Sequence, residues 1–218
     1  MVGLEFQRQS NARLKVLGLG AHSDDLEIGC GGLILHLVKQ RRVEFDWVVF
    51  SAVAARAREA RRSAALFLRG AAGHRVATHG FRDGFFPYDG GEIKKVFEAL
   101  KDHVHPDLIL THYRDDRHQD HRLLSELTWN TFRSHLILEY EIPKFDGDLG
   151  APNCFVPLKR SACLRKVKYL NTVFATQRDK HWFSEETFMA LMRLRGMECR
   201  AADGYAEAFY ARKLVIAT

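Results

Sequence analysis

The sequence predicts a three-layer α/β fold, in which a mostly parallel β-sheet carries helices on both faces. Short apolar or β-branched segments alternate along the chain with longer amphipathic or alanine-rich segments. Parallel strands need such helical crossovers between them. In addition, 46% of the 218 residues are hydrophobic, which is enough to build a core. This length favours one compact, Rossmann-like domain over residues 1–218.

The first part of the chain contains two strand–helix units. Lys15–Gly20 is a short apolar run that ends in glycine, which is typical of a buried strand. Gly29–Arg42 begins with glycines and continues as an apolar helix with a basic end. Phe45–Ser51 is β-branched and aromatic and predicts the second strand. The alanine- and arginine-rich segment Ala54–Arg69 predicts the second helix.

The middle of the chain repeats the alternation. Val76–His79 predicts a short strand and Glu92–His103 an amphipathic helix. Asp107–His112 is apolar enough for a buried strand, and His118–Phe132 follows it as a helix. Leu136–Ile142 then predicts another strand, because its β-branched and aromatic residues stop at a proline.

The last third predicts a loop, two helices and a closing strand. Gly147–Pro157 is loop-like, with a short strand near Phe155. Lys159–Thr176 and Ser184–Arg195 have helical composition, and the final segment, Tyr205–Val215, is strand-like at its end.

Composition excludes several classes of protein. The net charge of +6 is spread along the chain, and Ala54–Arg69, the one candidate recognition helix, fits sheet packing better than nucleic-acid binding. No segment reaches the roughly 20 apolar residues of a membrane span, and the first residues do not resemble a signal peptide. The four cysteines form no C-x-x-C pair, so we expect a reduced, cytoplasmic protein. Oligomeric state stays open, and a homo-oligomer is one of the options.

Imidazoles and carboxylates follow two of the predicted strands. The segment His22–Glu27 comes directly after the first strand, and Asp115–His121 follows the strand that ends at His112. Ligands of open α/β sheets bind beyond the carboxyl ends of the strands. Histidine and aspartate are ligands of zinc and related metals, and so many of them in one place are costly unless a cation holds them. The two segments therefore predict a metal site.

These segments also carry a family resemblance. AHSDDLEIGCGG resembles the A-H-P-D-D-x-E-x-x-x-G-G motif of the LmbE-like (PIG-L-type) N-deacetylases, and DDRHQDH resembles their D-x-H-P-D-H motif. Ser23 and Gln119 stand where the family usually has proline. Weaker similarities lie elsewhere in the chain: Arg56-x-x-Glu59, Arg82-Asp83-Gly84, Thr176-Gln177, Arg195-Gly196 and Tyr205-Ala206-Glu207-Ala208-Phe209.

The resemblance implies a zinc-dependent hydrolase that removes an N-acetyl group from an amino sugar or sugar conjugate. Its metal ligands would be His22, Asp25 and His121, which leaves room for water and substrate. Two imidazoles and one carboxylate suit iron(II) as well as zinc. Asp24 would be the general base for the attacking water. His118, if protonated, would stabilise the developing oxyanion.

The remaining polar residues receive supporting roles. Asp120 is predicted to orient His118, and Asp116 either does the same or caps the helix. Arg56 is either a plain surface arginine or, because a cation at a helix start opposes the macrodipole, a residue that contacts substrate or pairs with Glu59. Asp83 is predicted to bind a sugar hydroxyl. Glu27 is predicted to anchor the first motif loop. Discrimination between substrates is assigned to two loops, Phe81–Gly91, with its aromatic residues, and Gly147–Pro157.

Two other functions fit parts of the sequence. A metal phosphoesterase could use the same carboxylates and imidazoles, although two-metal hydrolases need further ligands, and none follows Phe45–Ser51. A carbohydrate- or nucleotide-binding module could keep the fold without catalysis, but we would expect it to have lost the base or a ligand. Because the motif residues are all present, the sequence favours the hydrolase.

Overall fold

The centre of the molecule is a seven-stranded sheet. The computed structural model describes Gly3 and residues 12–40 and 42–215. The strand order is β3-β2-β1-β4-β5-β7-β6. The five strands from β3 to β5 are parallel, whereas β7 runs antiparallel to both of its neighbours. The strands are β1 Leu14–His22, β2 Val43–Ser51, β3 Gly73–Thr78, β4 Leu108–His112, β5 Leu136–Tyr140, β6 Cys154–Leu158 and β7 Tyr205–Ala211.

Six helices in the described part of the chain cover the two faces of the sheet. Helices α1, α2, α5 and α6 pack together on one face, and α3 and α4 pack on the other. The predicted three-layer α/β fold is therefore confirmed. The helices are α1 Asp25–Gln40, α2 Ala54–Phe67, α3 Gly90–His103, α4 Gln119–Thr131, α5 Arg160–Val173 and α6 Glu185–Glu198.

Most element boundaries lie within three residues of the sequence prediction, and two elements differ more. Helix α1 begins at Asp25, four residues before the glycines that were predicted to start it. The last strand occupies Tyr205–Ala211, the first part of the final segment rather than its end, because its pairing with β5 stops where Ala211 meets Leu138. No helix in the described residues is both long and apolar enough to span a membrane.

Helix α1 is kinked at Cys30, whose backbone is non-helical (φ −141°, ψ 17°). The kink exposes backbone N–H groups that an unbroken helix would bond internally. The buried carboxylate of Glu207 on β7 accepts two of them, from Gly32 and Leu33, at 2.7 Å each. A side chain on Gly32 would collide with Leu158, so the glycine permits this close approach. Glu207 therefore caps the second half of the helix.

Lys166 on α5 completes this arrangement. Its ammonium donates to the carbonyl of Ile28, on the first half of α1, and to Glu207, at 2.6 and 2.7 Å. Both charged side chains are about 3% exposed. The Lys166–Glu207 ion pair thus supplies hydrogen-bond partners to backbone groups on both sides of the kink, next to the first motif.

We expect Lys166→Met to lower the free energy of unfolding by about 3–5 kcal/mol, because the substitution leaves the carboxylate of Glu207 buried without a cation. Urea denaturation measures the effect. As a control, Lys94→Met removes an exposed i,i+4 pair with Glu98 and should change stability little. Equal stability of the two variants would contradict a structural role for the buried pair.

Candidate metal and active site

The two motif segments meet where the sheet changes direction. From β1 the chain continues to β2 and β3 on one side, and β4 then pairs with the other side of β1. Strand β1 ends at His22 and β4 ends at His112. The loops that follow diverge at this switch point and leave a crevice, which is the usual position of a ligand site in open α/β sheets.

The three residues predicted as metal ligands lie together there. His22 Nδ1 is 3.2 Å from His121 Nε2. The Asp25 carboxylate lies beside both rings, with Oδ2 3.4 Å from His22 Nδ1 and Oδ1 3.7 Å from His121 Nε2. Tetrahedral zinc with bonds of about 2.0–2.1 Å places its ligand atoms about 3.3 Å apart. The three side chains therefore lie close to the spacing of a zinc site, with a different carboxylate oxygen of Asp25 nearest to each ring.

Backbone and side-chain contacts set the orientation of Asp25. Its Oδ2 accepts the N–H of His22 at 2.6 Å and lies 3.2 Å from Nε2 of His112. This leaves Oδ1 directed toward His121. Burial would raise the pKa of Asp25, but the adjacent imidazoles of His121, His112 and His22 outweigh burial and hold this pKa well below its ordinary value. Asp25 is therefore a ready anionic ligand.

The two histidine ligands differ in their protonation. Burial and the neighbouring His112 lower the pKa of His121 to about 3, so its ring is neutral. Burial also opposes the charged form of His22, yet Asp25, Asp120 and Asp83 raise the pKa of His22 well above its ordinary value. Because a metal ion must displace that proton, metal binding at this site is expected to weaken as the pH falls.

Asp116 supports His121 rather than His118. Its Oδ2 lies 2.9 Å from Nδ1 of His121, and Oδ1 accepts the backbone N–H of His118 at 2.8 Å. The ammonium of Lys144 is 2.9 Å from the same Oδ2. Burial alone would raise the pKa of Asp116, but His121 and Lys144 lower it. An anionic Asp116 fixes the proton on Nδ1 and directs Nε2 of His121 to the metal position.

Asp24, the predicted general base, contacts Arg56 at the start of α2. The guanidinium Nη2 donates to Asp24 Oδ1 at 2.7 Å. The predicted pairing of Arg56 with Glu59 is wrong, because Glu59 instead accepts the backbone N–H and the hydroxyl of Thr176. Burial raises the pKa of Asp24 even though Arg56 opposes the shift. A carboxylate with a raised pKa is better matched to accepting a proton near neutral pH.

Asp120 does not orient His118 in the way the sequence predicted. Its Oδ2 lies 3.3 Å from His22 Nε2 and accepts the N–H of Gly84 at 2.7 Å, while Oδ1 accepts the N–H of Phe86. The ring of His118 accepts the backbone N–H of Asp120 at the start of α4. The carboxylate therefore fastens the Asp83 loop and the His22 ring to α4.

His118 borders the same space, as predicted. Its ring centroid is 4.9 Å from that of His22 and 4.6 Å from that of His121. Burial and the charge of His22 lower the pKa of His118. A lowered pKa does not favour the protonated form of His118, which was predicted to stabilise the oxyanion.

Asp83 stands at the entrance. Its Oδ1 lies 3.0 Å from His22 Nε2, and its side chain is 67% exposed. The nearby Arg82 stacks its guanidinium over the ring of Phe85. Asp83 is therefore open to solvent while it touches a predicted metal ligand.

A cavity of about 230 Å³ lies above these residues. Its outer wall comes from two loops joined by an edge-to-face contact between Phe145 and His181, and it includes Lys144, Lys180 and Trp182. The aromatic residues of the Phe81–Gly91 loop, which were expected to help discriminate between substrates, do not line this cavity: Phe86 is packed in the core and Tyr88 points to solvent. The lining residues are His22, Asp24, Asp25, Arg56, Asp83, His118, His121, Ile142, Lys144, Phe145, Asp146, Lys180 and Trp182.

Sequence reasoning missed His112 and Lys144. His112 is fully buried, stacks on His121 with ring centroids 3.9 Å apart, and contacts Asp25. The sequence did offer a signal for His112, because this residue ends a predicted buried strand next to the second motif. Lys144 follows β5, and no motif marks it, because its role depends on Asp116 and Asp148 from separate turns of the chain.

Glu27 is buried beside the site, and among the described residues neither carboxylate oxygen has a well-formed hydrogen bond. Burial raises the pKa of Glu27 well above its ordinary value near 4.5. Glu27 was predicted to anchor the first motif loop. In the structure no charged carboxylate of Glu27 makes such a contact within the described residues.

We expect the free energy of unfolding of Glu27→Gln to increase relative to that of the wild type as the pH rises. The folded state holds the Glu27 proton more tightly than the unfolded state, so wild-type stability falls as the pH rises above about 4.5, by up to about 1.4 kcal/mol per pH unit, until the folded pKa is reached. Urea unfolding of the metal-free forms at pH 5 and pH 8 measures the difference. Parallel pH dependences would contradict a buried, protonated Glu27.

The fold and the site together place this chain among α/β proteins with a candidate metal centre at the switch point of the sheet. The chain belongs to the PIG-L family, described as GlcNAc-PI de-N-acetylase, whose model matches residues 17–132. The match includes both motif segments, so the family predicted from the sequence is confirmed. No curated protein sequence matches the chain.

Solved structures share the fold at low sequence identity. The conserved protein TT1542 from Thermus thermophilus is 18% identical with a TM-score of 0.71, over 94% of this chain and 97% of that one. N,N'-diacetylchitobiose deacetylase from Pyrococcus horikoshii is 20% identical with a TM-score of 0.67, over 89% and 82%. GalB, the 4-carboxy-2-hydroxymuconate hydratase of Pseudomonas putida KT2440, is 17% identical with a TM-score of 0.71, over 94% and 98%.

Proposed function

We propose that this protein is a metal-dependent hydrolase that removes the N-acetyl group from an amino sugar or sugar conjugate. The observation that carries the proposal is the geometry of one cluster. The side chains of His22, Asp25 and His121 approach one another to 3.2–3.7 Å, and they lie beside a buried carboxylate, Asp24, under an open cavity. Membership of the PIG-L family supports amide hydrolysis as the reaction.

His22 Nδ1, Asp25 Oδ1 and His121 Nε2 would hold the metal, with zinc favoured and iron(II) compatible with the same donors. When bound, such an ion polarises a carbonyl and lowers the pKa of a coordinated water toward about 7. The three protein donors leave further coordination positions on the cavity side for that water and for substrate.

Asp24 would accept the proton of the attacking water and return it to the departing amine. Arg56 supports this role because its guanidinium holds Oδ1 of Asp24 and leaves Oδ2 for the water. His118 would face the acetyl oxygen from the opposite side and donate a hydrogen bond to it as charge develops. Asp120 would hold His22 and the Asp83 loop in position.

The cavity wall would bind the sugar. Trp182 and Phe145 offer aromatic surface for the apolar face of a sugar ring, and Asp83 offers an exposed carboxylate for a hydroxyl. Arg56 would contact substrate only through the part of its guanidinium that Asp24 does not occupy; its side chain is 23% exposed.

A hydratase is the second candidate, because GalB carries the same fold. Hydration of a carbon–carbon double bond would also use a positioned water and a base. The two reactions differ in their products, since only amide hydrolysis releases acetate and a free amine.

The metal-loaded protein should therefore be incubated with N-acetylglucosamine, diacetylchitobiose and N-acetylglucosamine conjugates, and acetate and amine should be measured together. Equimolar release of both that is absent in Asp24→Asn is the expected result. Water addition to an unsaturated acid, with no acetate from any N-acetyl sugar, would favour the hydratase.

A further inference from the structure

A second cavity, of about 540 Å³, adjoins the candidate active site on the other side of the Asp83 loop. Asp83 and His118 line the first cavity, and the residues directly after them, Gly84 and Gln119, line the second. The two cavities therefore share a border, and the exposed carboxylate of Asp83 lies on it. The residues that line the second cavity are Gly84, Phe85, Pro87, Tyr88 and Gln119.

Tyr88 presents an aromatic ring to this second cavity. Its side chain is 83% exposed, and its hydroxyl has no hydrogen-bond partner among the described residues. The ring of Phe85 lies behind it at 5.8 Å between centroids, and the guanidinium of Arg82 covers one face of Phe85. Phe85, Pro87 and Tyr88 are all exposed, so they form one continuous apolar surface, which is a stronger sign of a binding site than a single exposed side chain.

The backbone beneath Tyr88 is fixed in place. The N–H of Tyr88 donates to the carbonyl of Phe85 at 2.9 Å, and Phe86, which lies between them, is fully buried. The carboxylate of Asp120 accepts the N–H groups of Gly84 and Phe86. Because the loop already has its hydrogen bonds and its core contact, little ordering would be needed when a ligand binds to it.

Gln119 supplies the polar part of the cavity wall. Its Nε2 donates one N–H to the carbonyl of Gly84 at 3.0 Å, which leaves Oε1 and the second N–H without a partner among the described residues. This residue stands where the family usually has proline, so the amide is a feature of this chain. An amide beside an aromatic ring suits a sugar, whose C–H face packs on the ring while its hydroxyls bond to the amide. An acyl chain would displace water from the amide without replacing its hydrogen bonds.

We propose that Tyr88 and Gln119 form a second sugar subsite, and that the substrate is therefore at least a disaccharide. This inference rests on the proposed deacetylase function. The N-acetylated ring would occupy the first cavity, and the neighbouring ring would stack on Tyr88 and bond to Gln119. Asp83, on the border between the cavities, would bind a hydroxyl close to the linkage between the two rings.

Calorimetry of the metal-loaded Asp24→Asn protein, which should bind sugars without consuming them, tests this inference. We expect diacetylchitobiose to bind about tenfold more tightly than N-acetylglucosamine, because only the disaccharide reaches Tyr88. Adding Tyr88→Ala should remove this difference and leave the affinity for N-acetylglucosamine unchanged. Tyr88→Phe is the matched control, since it retains the ring and should retain the difference.

Gln119→Pro should lower the affinity for the disaccharide alone, by about threefold, because it removes the amide. Gln119 is the first residue of α4, a position at which helices accept proline, so the fold should be kept.

Equal affinities for the two sugars, or no binding of either, would overturn the proposal. So would a Tyr88→Ala effect of the same size on both sugars. If phenyl N-acetylglucosaminide gained affinity through Tyr88 and the disaccharide did not, the cavity would bind an apolar aglycone and the sugar assignment would be wrong. Because sugar binding is measured directly, missing acetate release by the wild type would contradict the deacetylase proposal alone.

Discussion

Asp24→Asn is expected to lower kcat by about 10²–10⁴-fold while the tightly bound metal stays in place. Asparagine has the same shape and can still accept the Arg56 hydrogen bond that Asp24 Oδ1 accepts at 2.7 Å. It cannot take a proton from water. Asp24 also has no place among the three donors that surround the metal position, so metal content should not depend on it.

The measurement is steady-state kinetics on whichever N-acetyl sugar the wild type hydrolyses, with metal content determined on the same samples. Asp146→Asn removes a carboxylate from the same cavity and serves as the control. A drop in kcat of similar size in both variants would indicate a general electrostatic effect. Loss of metal from Asp24→Asn would mean that this residue is a ligand rather than the base.

Asp116→Asn is expected to weaken zinc binding by about 10–100-fold, which is the usual cost of removing a carboxylate behind a ligating histidine. The carboxylate lies 2.9 Å from Nδ1 of His121 and selects the tautomer whose Nε2 faces the metal. An amide oxygen can accept the same hydrogen bond but carries no charge to strengthen the ligand.

Competition with a chromophoric chelator measures this affinity. Asp148→Asn is a close control, because Asp148 also contacts Lys144 but has no contact with His121 among the described side chains. Its zinc affinity should stay within a few-fold of the wild type. Equal weakening in the two variants would show that the loss of the Lys144 contacts, not the support of His121, sets the affinity.

The sequence predicted the fold and the meeting of the two motif segments because both depend on local patterns. Each buried strand is marked by its own composition, and the carboxyl ends of parallel strands meet at one edge whatever the details of packing. The position of His22 and His121 therefore followed from two motifs placed after two strands. The antiparallel pairing of β7 and β6 carried no such mark, because either direction buries the same apolar residues.

Contacts between side chains were predicted less well, and the reason is physical. Arg56 is one turn from Glu59 on α2, so local spacing favours their pairing. In the structure Arg56 instead contacts Asp24, since that buried carboxylate needs a cation, and half-buried Glu59 accepts hydrogen bonds from Thr176. Asp120 likewise lies near His118 in sequence, but its buried carboxylate contacts His22, which comes from the other motif. These side-chain contacts depend on how the helices pack on the sheet, and the spacing of residues along the sequence does not determine that packing.

The metal content of the purified protein is the most direct test of the central claim. Elemental mass spectrometry should be applied to the wild type, His22→Ala and His121→Ala after dialysis that removes weakly bound ions. The two histidines lie in motifs 99 positions apart, and their ring nitrogens are 3.2 Å apart. We predict about one zinc or iron ion per wild-type chain and none in either variant. A metal content that neither substitution changes, or no metal after reconstitution of the wild type, would contradict the proposed centre.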